Sequence, residues 1–220
     1  MEKEKKERFR PFELVIGLLM TLFVIGLVAT LVIQFRPFYY WMVDLLHIPE
    51  SSGYPRDEVI LNFNSMMNFL IPFTGGTLKF ATLPASEAGI QHFVECKRIF
   101  NLFAAMIPVC GIPALLLARR ERKAGRRHYR LTSGLMMIII PVILGLGCAI
   151  DFDAAFVIFH KIFFRNDFWI FDYRTDPIIL MLPENVFLIY GMIMVVIVLA
   201  VAIWMICSGK KHQCDSASAN

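Results

Sequence analysis

Four stretches of this 220-residue chain, 14–34, 99–118, 131–150 and 185–207, contain no aspartate, glutamate, lysine or arginine. Charged residues are 18% of the sequence and apolar ones 57%, which excludes a water-soluble globule with its usual quarter of charged residues. Cysteine is almost as sparse. Cys110, Cys148 and Cys207 fall inside uncharged stretches, Cys214 lies in the tail, and only Cys96 sits in an intervening segment. That scatter leaves no pair for a disulfide on an outer face. His92 and Cys96 have the spacing of two ligands on one helical face, but no third and fourth ligand stand near them in sequence, so no metal is expected. Cys96 is read as a packing residue.

Each uncharged stretch is long enough to cross a hydrocarbon core of about 30 Å as a helix. The expected fold is an all-α membrane bundle forming one integral membrane domain over 1–220, with transmembrane helices at about 14–34, 99–118, 131–150 and 185–207. The first apolar run is too long for the core of a signal peptide and ends without a small-x-small cleavage site, so it is expected to stay in the protein.

Basic residues set the orientation. Fourteen of the 22 lysines and arginines lie in the N-terminal segment, the 119–130 loop and the tail, against eight in segments 35–98 and 151–184. Under the positive-inside rule both termini are cytoplasmic and those two segments are extracytoplasmic. The net charge of +4 then reports topology and contact with anionic lipid, and no nucleic-acid partner is expected.

Function is therefore sought in the two outer segments. In the first, the aromatic run from Phe38 to Trp41 suits an interfacial anchor. Pro55 opens a segment in which Val59, Phe63, Met66, Met67 and Leu70 recur at helical spacing. A turn at Thr74-Gly75-Gly76-Thr77 precedes a possible short strand over residues 78–83, so a small extracytoplasmic α+β cap is expected. Ser86 is a candidate N-cap for a helix running unbroken into the second span. His92 lies about two turns before that span, on the face continued by Glu95 and Cys96.

The second outer segment, 151–184, is too polar at its ends to span and too aromatic to float free, so it is expected in the outer interface. His160 has Phe156, Val157, Phe163 and Phe164 at helical neighbour positions. An apolar setting favours the neutral imidazole that a general base requires. Two readings stand for each histidine: a catalytic group, or a residue turning its polar edge to water.

The stretch Phe159-His160-Lys161-Ile162-Phe163-Phe164-Arg165-Asn166-Asp167-Phe168-Trp169, with Asp176-Pro177 through Pro183-Glu184-Asn185 after it, closely resembles the signature of the lipoprotein intramolecular transacylase family of Gram-positive bacteria. His92-Phe93-Val94-Glu95-Cys96-Lys97 is similar to a second motif of that family, with Glu95-Cys96 where Asp-Val is expected. The resemblance implies a membrane acyltransferase acting on diacylated bacterial lipoproteins, with no cofactor. It would move the sn-2 acyl chain of the S-diacylglyceryl cysteine to that cysteine's α-amino group, leaving a lyso-form. By the same resemblance His160 is the base and His92 the oxyanion donor, the two roles being exchangeable. Glu95 would orient His92, and Asn166 and Trp169 would support the site or meet substrate. Two other classes remain open from the residues alone: a non-enzymatic accessory or sensor protein, and a membrane lipid or lipoprotein hydrolase using the same histidines.

Overall fold

The computed structural model describes residues 10–218, with side chains described to residue 210. Among these residues there are eight α-helices, one short 3-10 helix and no strand. In order they are α1 (Phe12–Gln34), α2 (Arg36–Leu45), α3 (Ile48–Ser52), α4 (Arg56–Phe69), α5 (Glu87–Lys123), α6 (His128–Ile150), α7 (Phe152–Phe163), the 3-10 helix (Pro177–Met181) and α8 (Glu184–Ser218).

Four helices, α1, α5, α6 and α8, are long and apolar enough to cross a membrane. Along them Val109, Ile112, Leu116, Ile143, Val196 and Trp204 are exposed, as suits side chains facing lipid rather than water. The protein is a multi-pass membrane protein. The 37 residues of α5 are nearly twice what a span requires, and residues 87–98 precede its uncharged stretch 99–118.

The chain divides into two compact units. One comprises 103–146 with the described parts of 1–29 and 194–220. Its helices approach closely at glycines: a Cβ on Gly134 would meet Ala202 O at 2.7 Å, and one on Gly26 would meet Phe103 O at 2.6 Å. Small residues permit such backbone contact between spanning helices. Here the buried Glu13 carboxylate pairs with His128 Nδ1 at 2.5 Å, which keeps a charge-bearing group out of an unpaired apolar setting.

The other unit comprises 30–102 and 147–193. Its core gathers Tyr39, Met42 and Val43 of α2 with Val59, Phe63, Met66 and Met67 of α4 and Met181. The helical spacing read in α4 is thus a buried stripe, and Tyr39 stacks on Phe63 with ring centroids 3.6 Å apart. The Tyr39 hydroxyl donates to Met181 O at 2.6 Å, fastening the 3-10 helix to α2.

The expected α+β cap is corrected. Residues 78–83 bury Leu78 and Phe80 alternately, as a strand would, yet no strand lies beside them. The fully buried Asn62 of α4 serves instead: its Oδ1 accepts from Thr82 N at 3.1 Å and its Nδ2 donates to Thr82 Oγ1 at 2.7 Å. An extended strap tied by one amide side chain satisfies the same alternation that a strand does.

Candidate active site

All five residues singled out from the sequence, His92, Glu95, His160, Asn166 and Trp169, lie in this second unit. The capping expected of Ser86 is present: its hydroxyl accepts from Gly89 N at 2.9 Å, starting α5 so that His92 follows on its second turn. Asp151 caps α7 in the same way, accepting from Ala154 N at 2.9 Å, and His160 lies on its last turn.

The two imidazoles meet, with ring centroids 5.9 Å apart. Both are buried. Phe164 packs on both rings, at 4.7 Å from His92 and 5.5 Å from His160, and Phe156 lies 4.1 Å from His160. Phe171 closes the His92 side at 5.5 Å. Of the aromatic neighbours expected around His160, Phe163 is exposed instead.

His160 Nδ1 is 2.7 Å from Phe156 O. A carbonyl only accepts, so Nδ1 carries the proton and Nε2 of the neutral ring is left with its lone pair. Burial lowers the basicity of His160, partly offset by that hydrogen bond. Burial, and then the neighbouring His160, push His92 down to about 4. Both rings are therefore neutral near pH 7. His92 Nε2 lies 3.4 Å from Cys96 Sγ, while its Nδ1 is buried without a partner.

Glu95 does not hydrogen-bond His92. Its carboxylate accepts from Asn166 Nδ2 at 2.9 and 3.2 Å. Asn166 O in turn accepts from Trp169 Nε1 at 3.0 Å, and the indole stacks on His160 at 4.6 Å. A line of contacts thus runs from Glu95 on α5 through the loop after α7 to the face of the His160 ring. Phe171 is not singled out from the sequence, and Asp176, quoted there as part of the signature, is given no role. The buried Asp176 accepts from Ser86 N at 2.8 Å, tying the end of that loop to the start of α5; its signal in the sequence is its place, directly before Pro177, in the quoted signature. No group of three His, Cys, Asp or Glu that could hold a metal occurs among the described residues.

The constellation offers one ring nitrogen able to take a proton and, beside it, a second buried ring with an unpartnered nitrogen. That pairing suits proton transfer coupled to stabilisation of a developing anion.

The family model described as lipoprotein intramolecular transacylase Lit matches residues 14–187. The in meso structure of the membrane-integral Lit from Bacillus cereus matches with a TM-score of 0.89 and 30% identity, covering 94% of this chain and 96% of that one. Two structures of the same Bacillus cereus protein carrying single histidine substitutions, to arginine and to alanine, match at TM-scores of 0.84 and 0.83 with 29% identity. They cover 94% of this chain and 93% and 94% of those. No curated protein matches significantly.

Proposed function

The chain belongs to the lipoprotein intramolecular transacylase family and is an acyltransferase; from that premise we propose that it moves the sn-2 acyl chain of an S-diacylglyceryl cysteine lipoprotein to the α-amino group of the same cysteine. The product is a lyso-form lipoprotein, N-acylated and left with one ester-linked chain. The termini are cytoplasmic and the site works at the extracytoplasmic face, where such lipoproteins are anchored in membrane lipid.

The amine attacks the ester carbonyl. His160 Nε2 takes the proton from the attacking nitrogen, and His92 donates to the tetrahedral oxyanion. When the C–O bond breaks, the same proton passes to the departing glycerol oxygen, so one ester is replaced by one amide and one hydroxyl. Nucleophile and electrophile belong to one substrate; well-oriented intramolecular pairs reach effective molarities of about 10⁵ M or more. The protein's share is orientation, a base and an anion donor. Aromatic walls at His92 and His160 exclude water, which favours the amine over hydrolysis.

The single observation carrying this reading is that His160 Nδ1 is committed to Phe156 O, leaving Nε2 as a base beside His92. Mass spectrometry of a lipoprotein's N-terminal peptide, after co-expression in a host lacking N-acylation, tests it. N-acyl lyso peptide is expected. Simple loss of one acyl chain identifies a hydrolase, and an unchanged diacyl peptide identifies a non-enzymatic protein; either result overturns the reading.

A further inference from the structure

Cys96 follows His92 by one turn of α5 and places Sγ 3.4 Å from His92 Nε2. The other ring nitrogen, Nδ1, has no partner, on a residue 6% exposed. A neutral imidazole carries a single N–H, so the contact with sulfur decides which nitrogen holds it. Burial pushes the Cys96 thiol up to about 12, so its proton stays on sulfur at neutral pH and the group is a poor nucleophile. Thiol sulfur is a weak acceptor, whereas an imidazole lone pair is a good one. Pairing S–H with the Nε2 lone pair is the better use of both atoms, and it sends the ring proton to Nδ1.

We propose that Cys96 is a positioning residue: its thiol donates to His92 Nε2 and thereby holds the ring as the Nδ1–H tautomer, with the unpartnered N–H free for the oxyanion. This rests on the role of His92 given above. The two histidines then form a matched pair, each fixed as the Nδ1–H tautomer by a partner one turn away on its own helix. For His160 that partner is a backbone carbonyl that takes the N–H and frees Nε2. For His92 it is a thiol that occupies Nε2 and frees the N–H. One tautomer thus serves as base in one ring and as donor in the other.

The test is nitrogen-15 NMR of the full chain in detergent with labelled histidine, the His92 signal being assigned by its loss in His92→Gln. A protonated Nδ1 and a bare Nε2 are expected; a protonated Nε2 in the wild type overturns the proposal without any variant. In turnover assays Cys96→Val, which fills the space but cannot donate, is expected to lower kcat about three- to tenfold with KM unchanged, the range one hydrogen bond spans. Cys96→Ser is expected to recover most of it. In a His92→Gln background Cys96→Val is expected to cost nothing further, and an equal cost in both backgrounds assigns Cys96 to packing and overturns the proposal. If His92→Gln turns over like the wild type, the oxyanion role fails instead, and the tautomer measurement still decides what Cys96 does.

Discussion

Asn166 and Glu95, 71 residues apart in the chain, join the loop after α7 to α5 through two hydrogen bonds from one amide nitrogen to one carboxylate. The consequence reaches His160, because the backbone carbonyl of Asn166 also holds Trp169 against the His160 ring. Glu95 therefore acts on His160 through the loop, not on its helical neighbour His92.

The charges of this pair predict a reciprocal rescue. Asn166→Ala removes a charged hydrogen bond of about 1.5–3 kcal/mol, and kcat/KM should fall at least tenfold. Asn166→Asp sets two carboxylates against each other and should be worse than alanine. Combined with Glu95→Gln, Asn166→Asp again faces an amide donor and should regain most of the loss. Kinetics of the three variants check this; a double variant no better than Asn166→Asp shows that the pair is not a hydrogen-bonded unit.

Charge placement predicts the topology. A reporter fused after Arg127 should read cytoplasmic and one inserted near Ser52 extracytoplasmic. The reverse pattern puts His92 and His160 inside the cell, away from the lipoprotein substrate.

What was legible in the sequence followed from constraints that act locally. A bilayer tolerates charge poorly, so the four uncharged stretches mark α1, α5, α6 and α8 without reference to any neighbour. Ser86 and the absence of a breaker until Pro108 likewise make the long start of α5 readable. Contacts set by the fold were not. Alternation at Leu78 and Phe80 suggests a strand, and only the position of Asn62, buried on α4, shows why the chain needs none. Glu95 sits one turn from His92 and reads as its orienting acid, but the partner that claims it comes from a distant loop. Phe171 and Asp176 enter the site through the same loop.

Both histidines have lowered basicity, which predicts how the enzyme responds to acid. An ordinary imidazole titrates near 6.5, so the acid limb of kcat should have its midpoint below that value, where His160 finally protonates. Stability has the same sign. Below about 6.5 the unfolded chain binds protons that the folded chain refuses, so stability is lost as pH falls toward about 4, where His92 titrates. The Tm of wild type in detergent should fall across that window, and His92→Gln should fall less. Equal slopes for both proteins show that His92 is not held neutral.

The two histidines should differ in the kind of defect they leave. A general base contributes about 10²- to 10⁴-fold and one oxyanion donor about 10²- to 10³-fold, so either single substitution should nearly abolish turnover. His92→Gln still offers an amide N–H to the oxyanion and should keep a trace of activity. His160→Gln has no group that accepts a proton near neutral pH and should keep less. If His160 works through Nε2, with Nδ1 tied to Phe156 O, the residual rate of His160→Gln should also depend on the pH at which the substrate amine loses its own proton. It should therefore rise toward alkaline pH, while the residual rate of His92→Gln should keep the acid limb set by His160. Neither side chain lies in the uncharged stretch 99–118 or in α1, α6 or α8, so both variants should insert, which membrane fractionation checks. If His160→Gln forms lyso-form lipoprotein at close to the wild-type rate, His160 is not the base, and the proton must leave the amine by another route even though the chain remains a member of the family.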